Sequence, residues 1–231
     1  MVALNNNLGL KGIKQLSFKG VTSPPAPNYA NLAPLEKDTF VKSETIKKER
    51  KSENGSRAVE EFDSKTGKKI KDTAYKKDGT IDCIGEFDIN TGNSIKMIGY
   101  AEDGKTISSI VEHDAITGNR KQAIRFYKGG EKIEFIETYD PTTDNQIKDT
   151  WFYQDSKTIK SIHEFDSSKP NVRTRTLWFK EDGKTLESID EYDNSSQNRL
   201  IKQTSYKEDG KTIKEVINFD PKTGEEIKTR G

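Results

Sequence analysis

Residues 86–110 read EFDINTGNSIKMIGYAEDGKTISSI, with two turn signals, Asp88-x-x-Thr91-Gly92 and Asp103-Gly104, set between short runs rich in Ile and aromatic residues. An Asp side chain accepts from the backbone two residues on, and Gly supplies the left-handed φ that closes a tight loop. Asp-Gly is in addition a strong short hairpin signal. The runs between the turns are about five to eight residues long and rich in Ile, Thr and aromatics, which is the composition of strands. Turns this frequent leave no room for a helix. Two strands and two tight turns make the stretch one unit of an up-and-down antiparallel meander.

The same pattern returns along the chain. An aromatic residue or His followed by Asp stands at Phe62-Asp63, Phe87-Asp88, His113-Asp114, Tyr139-Asp140, Phe165-Asp166, Tyr192-Asp193 and Phe219-Asp220, every 25 to 27 residues. A fixed period of this size marks a repeat architecture. The Gly-closed turn recurs as Asp63…Gly67, Asp88…Gly92, Asp114…Gly118 and Asp220…Gly224, and Asp-Gly recurs at Asp78, Asp103, Asp182 and Asp209. The fold expected is all-β, an antiparallel meander of about seven hairpin repeats with roughly 13–14 strands. Stacking the repeats puts Phe62, Phe87, His113, Tyr139, Phe165, Tyr192 and Phe219 in one structural aromatic column. A second row takes Tyr75, Tyr100, Phe126 or Tyr127, Tyr153, Trp178 or Phe179, and Tyr206.

Composition narrows the architecture. Of 231 residues, 30% are hydrophobic and 33% charged, against about 45–50% apolar in an ordinary globular domain. A sheet of this many strands extends on the order of 65 Å, and the apolar residues are too few to build a second layer over it. Ile110 and His113, Ile162 and Phe165, and Ile189 and Tyr192 lie three apart, so an undistorted strand sends them to opposite faces. Either a bulge returns both to one side, or the sheet is a single layer held by cross-strand side-chain contacts. The single layer is the favoured reading, and a β-solenoid with parallel rungs is the alternative.

Usage also divides the chain. Residues 1–36 read as a flexible basic leader, acid-free up to Leu35, with Lys11, Lys14, Lys19 and the run Ser23-Pro24-Pro25-Ala26-Pro27. Residues 37–61 read as a degenerate half-repeat and 62–231 as the tandem hairpin-repeat sheet. The default compartment is the cytoplasm, with export through the non-standard leader as the alternative. No apolar run approaches the roughly 18–20 residues of a membrane span, and a lone Cys83 excludes an intramolecular disulfide.

The F/Y-D-x-x-T-G-x-x-I and D-G-K-T pieces resemble the YD repeats of large bacterial shell-forming toxins and the MORN repeats, which stack hairpins into one elongated sheet. They also resemble a short repeat of unknown function in bacterial proteins. The units here are longer than MORN units and lack their aromatic–Glu–Gly signature, and they lack the G-R-L that follows the YD turn. The resemblance covers about residues 46–231 and implies a stacked-hairpin sheet used for binding or scaffolding.

The residues offer little for catalysis. His113 beside Asp114 has the makings of an oriented base, but the other six repeats place Phe or Tyr in that slot, so packing accounts for it. His163 reads as an exposed position beside Glu164. Two histidines from different repeats are a poor start for a metal site. The column of Asp residues lacks the further acids that calcium needs, and each Asp reads as a turn-capping group instead. Glu61, Glu86, Glu112, Glu164 and Glu191 precede the aromatic, and Lys71, Lys96, Lys148, Lys202 and Lys228 follow Ile on the returning strand. These form a solvated ladder of opposite charges, and the lysines are the candidate binding-face charges. With 39 basic and 38 acidic residues the net charge is +1, which argues against nucleic-acid binding. The function expected is a non-enzymatic repeat protein without cofactor or metal, a binding or scaffolding surface for a protein or a surface polymer. The alternative is an exported surface or effector-type protein contacting host or envelope carbohydrate. Pairing of edge strands between molecules is a further expected contact.

Overall fold

The computed structural model describes residues 44–53 and 55–227. The leader, the start of the half-repeat and Lys228 lie outside the described residues. Fourteen strands follow one another without a helix among the described residues. They begin with β1 (Thr45–Lys51), β2 (Arg57–Asp63), β3 (Lys69–Tyr75), β4 (Ile81–Phe87) and β5 (Ser94–Tyr100). The central strands are β6 (Ile107–His113), β7 (Arg120–Phe126), β8 (Ile133–Tyr139), β9 (Gln146–Phe152) and β10 (Ile159–Phe165). The last are β11 (Arg173–Phe179), β12 (Leu186–Tyr192), β13 (Leu200–Tyr206) and β14 (Ile213–Asn218). All fourteen join one open sheet in sequence order, each antiparallel to its neighbours. Antiparallel pairing excludes the solenoid.

Register explains how a single layer buries a core. Val59, Thr73, Ile84, Ile98, Ile110, Ile124 and Ile136 lie directly opposite one another from strand to strand. The row continues through Thr150, Ile162, Leu177, Ile189, Thr204 and Val216. Ile124 in its middle is 1% exposed, whereas Val216 at its end is 44% exposed. On one side of this spine a second row pairs Tyr75 with Ile81, Tyr100 with Ile107, Phe126 with Ile133, and Phe152 with Ile159. On the other side runs the charge ladder, in which Lys71 stands between Glu61 and Glu86, and Lys96 between Glu86 and Glu112. Ladder side chains such as Lys71 and Lys96 are half-buried beside the spine, and a long side chain so placed can cover apolar neighbours with its methylenes while its charge reaches water. Neighbouring rows thus take the place of a second layer.

Each strand pair after β1–β2 contains one register shift. The extra residue is the second of the incoming strand, such as Ile70 or Lys121. These bulges fall at strand starts, so none separates Ile110 from His113. Alternation then sends the spine and the aromatic column to opposite faces.

The turns stack as well. Gly104 has φ 64°, and a Cβ there would lie 2.6 Å from Thr80 Cβ and 2.7 Å from the Ile81 nitrogen of the preceding unit. Glycine is therefore required twice over, by conformation and by close approach. Asp103 caps this turn, accepting from the N–H groups of Lys105 and Thr106 at 2.9 and 2.8 Å. The Thr106 hydroxyl foremost, then the N–H groups of Thr106 and Lys105, hold the Asp103 carboxyl at about 2, and matching partners do the same for Asp182 and Asp209.

Two outcomes follow. Ile124→Ala should cost about 3 kcal/mol in urea unfolding, and Ile213→Ala, 54% exposed, less than about 1 kcal/mol. The capping carboxylates are depressed in the folded chain, so their stabilisation is complete above about pH 4 and lost as pH falls toward 2. A triple variant Asp103→Asn, Asp182→Asn, Asp209→Asn should show a flatter melting temperature across that window than the parent.

Candidate functional site

The aromatic column occupies the face opposite the spine, and cations interleave it. Lys48 lies 4.7 Å from the Phe62 ring centroid, Lys69 3.9 Å from Phe87, and Arg120 3.9 Å from Tyr139. Arg173 sits between Phe165 and Tyr192, at 5.9 and 5.5 Å. Lys69, Arg120 and Arg173 each stand opposite the preceding member of the column, Phe62, His113 and Phe165. His113 fills the Phe/Tyr slot, and burial pushes its pKa below the usual imidazole value. Asp144 pulls it the other way, and Arg120 pushes it further down.

The Gly-closed turns are self-contained. Asp88 accepts from the N–H groups of Asn90 and Thr91, Asp114 from Ile116 and Thr117, and Asp220 from Lys222 and Thr223. Asp63 accepts from Thr66 through both N–H and hydroxyl at 2.7 Å. Gly67, Gly92, Gly118 and Gly224 all take positive φ. The residue after the Gly ties one turn to the next: Asn93 donates to the carbonyls of Ala115 and Ile116, and Asn119 to those of Pro141 and Thr142. The candidate lysines sit in the ladder on the spine face, where Lys148 opposes Thr138 and Glu164. Lys202 bonds Glu191 at 2.6 Å. Each of Lys71, Lys96, Lys148 and Lys202 has a Glu directly opposite it in the register.

A different cluster stands out on the aromatic face between β8 and β13. One row there runs Phe135, Trp151, Ser161, Trp178, Ser188, Ser205. The row beside it runs Glu137, Asp149, His163, Thr176, Asp190, Gln203. The second row fixes the first. Trp151 Nε1 donates to Asp149 Oδ1 at 3.1 Å, and Trp178 Nε1 to Asp190 Oδ2 at 2.8 Å. Gln203 donates to the other oxygen of Asp190 at 2.9 Å. The rings of Phe135 and Trp151 lie 4.4 Å apart, and His163 lies 6.3 Å from Trp151 and 6.1 Å from Trp178. Asp149 and Asp190 are buried while both indoles stay half-buried. Beyond Trp178, Ser188, Gln203 and Ser205 open into a shallow groove of about 830 Å³.

The sequence reading missed this cluster. It placed His163 in the open, yet the side chain is 12% exposed, with Nδ1 3.0 Å from Asp149 Oδ1. It also put Tyr153 and either Trp178 or Phe179 in the second aromatic row. The register gives those slots to Phe152 and Phe179, opposite Ile159 and Leu186, and turns Trp178 to the other face. Trp151 and Trp178 are the two tryptophans of the chain, one repeat apart, and that spacing is the signal that marks them.

Ser161, His163 and Asp149 connect in the order of a hydrolase relay: Ser161 Oγ lies 3.3 Å from His163 Nε2. His163 Nδ1 faces the Asp149 carboxylate while Nε2 faces the Ser161 hydroxyl. But Ser161 is 2% exposed, set between two indoles on its row. The relay works here as a buried hydrogen-bond network that locks Trp151.

Comparison with known families assigns the chain. The family described as "Protein of unknown function (DUF2963)" matches at residues 52–98, 80–125, 126–177 and 179–230, each match spanning about two hairpin units. The chain belongs to this family. No curated protein matches it. Among solved structures, a DUF2963 chain of this kind is similar to a mutant of S. aureus TarM at 11% identity and TM-score 0.27, covering 62% of this chain and 21% of that one. It is similar to the TcdB2-TccC3 chain at 14% identity and TM-score 0.28, covering 74% of this chain and 10% of that one. This chain thus spans about a fifth or less of those proteins, and at these scores nothing of theirs carries over. No helix among the described residues is long and apolar enough to cross a membrane. No group of three or more His, Cys, Asp or Glu among them is arranged to hold a metal.

Asp190→Ala frees the Trp178 indole and strands Gln203. The expected outcome is a loss of about 1–3 kcal/mol in urea unfolding, with a red-shifted tryptophan emission. His113→Phe, in contrast, should remove the acid sensitivity that a depressed histidine confers as pH falls below about 6.5, measured as the melting temperature between pH 7 and 5.

Proposed function

We propose that this DUF2963 protein is a non-enzymatic binding or scaffolding protein, and that it presents the tryptophan face of its sheet to a protein or a surface polymer. One observation carries the reading: two half-buried indoles are locked by buried carboxylates on a rigid, single-layer sheet. Locked aromatic side chains lose little entropy on association, which is why Trp is so common among the residues that dominate interfaces. The resemblance of the sequence to MORN and YD repeats, which implies a stacked-hairpin binding sheet, supports the same reading. The buried serine supports a role without catalysis.

Two measurements test it. A fluorophosphonate probe should leave Ser161 unlabelled, and labelling there would overturn the non-enzymatic reading. Immobilised protein should retain a ligand that the Trp151→Ala, Trp178→Ala variant releases and the Lys71→Ser, Lys96→Ser variant keeps. Equal retention by both variants would take the binding face away from the tryptophans.

A further inference from the structure

We propose that the tryptophan face binds a neutral polysaccharide, with sugar rings stacked on Trp151 and Trp178 and the chain continuing into the groove beside Trp178. This rests on the binding reading above and names its ligand. Three observations select that chemistry.

The first is the indole geometry. Trp151 and Trp178 stand on β9 and β11, two strands apart, which places them roughly 10 Å from each other along the row. Both N–H groups are already engaged with carboxylates, so what the indoles offer a ligand is the ring surface that neighbours such as Phe135, 4.4 Å from Trp151, leave uncovered. The negative face of an aromatic ring attracts the slightly positive C–H groups that line one side of a pyranose. A repeating sugar chain meets such a row with one ring after another.

The second is the groove. The row leaves Trp178 through Ser188 and Ser205, and these two residues with Gln203 line the open groove of about 830 Å³. Hydroxyl and amide groups both donate and accept, matching a polyol, whose hydroxyls do the same. An apolar anchor of a protein partner would instead call for a deep desolvated pocket.

The third is charge. Three lysines and three carboxylates line the groove, so its lining is balanced. A polyanion, whether nucleic acid or acidic glycan, needs a basic excess to displace its counterions, and the groove has none. The ligand these features fit is uncharged and hydroxyl-rich.

Affinity electrophoresis of the full chain tests the inference, using gels that contain a neutral β-glucan, α-glucan, mannan or galactan, or the polyanion heparin. At least one neutral polymer should retard the protein, with little change between 50 and 500 mM salt, and heparin should not. Trp178→Ala should weaken the retardation at least about tenfold, and Trp178→Phe, which keeps a stacking face, by only a few-fold. Circular dichroism and the melting temperature identify any variant that has unfolded, and Ser188→Glu, at the half-buried position opposite Trp178 where the groove begins, then serves as the second probe of the same loss. Retardation by heparin alone, falling with salt, would overturn the proposal, as would migration unchanged by all four neutral polymers. If the neutral polymers fail while a protein ligand is still released by the Trp151→Ala, Trp178→Ala variant, the binding face stands and the polysaccharide does not.

Discussion

Everything in this structure depends on register. Among the described residues no second layer covers the sheet, so a buried side chain there must be covered by the side chains beside and across from it on the same face. That works only if every strand presents its rows at the same height. A slip of one residue would put the spine on the aromatic face and the charge ladder among apolar neighbours. The stacked Asp-Gly turns fix one end of each hairpin and the Asn-tied turns fix the other, so the loops measure out the register that the rows require. Energetically the molecule is a linear array, each strand stabilised by its two neighbours. Burial accordingly is deep in the interior strands, from Ile124 on β7 to Thr176 on β11, and is lost at the edge, at Val216. At the other end, β1 is exposed throughout and carries Lys47, Lys48, Arg50 and Lys51, the kind of edge that resists pairing with another sheet.

Much of this was legible in the sequence because the turns are encoded locally. Asp88, Gly92, Asp103 and Gly104 each act within a few residues, and the period between copies counts the strands. The separation of Ile110 from His113 to opposite faces follows from alternation alone. The charge ladder was legible too, since Glu61 and Lys71 flank the same turn. What the sequence concealed arises across strands of different units. Phe135, Trp151, Ser161 and Trp178 occupy one row only because each incoming strand carries a bulge at its second residue, and no local pattern announces where that residue falls. The same shift misplaced Tyr153 and left His163 looking exposed.

The candidate site is where the repeat departs from itself. On the row that holds Trp151 and Trp178, the early units carry Ala58, Ala74, Cys83 and Gly99, all small. On the adjoining row, Gly85, Met97 and Val111 of the preceding units give way to Asp149, His163 and Asp190. Large aromatics and the polar groups that lock them arrive together, in neighbouring strands, on a face the spine leaves open. A packing role alone would be met by the small residues of the early units. The coincidence of ring, lock and open groove in β9 to β13 is what gives one stretch of an otherwise uniform sheet its own chemistry.

Native-state hydrogen exchange, resolved by strand, tests the central claim most directly. If strand-to-strand rows are the whole source of stability, the slowest amides lie in β6 to β10, and protection declines stepwise toward β1 and toward β14. A single protection level shared by all fourteen strands, or greater protection at the ends than in the middle, would contradict a sheet held together by its neighbours alone.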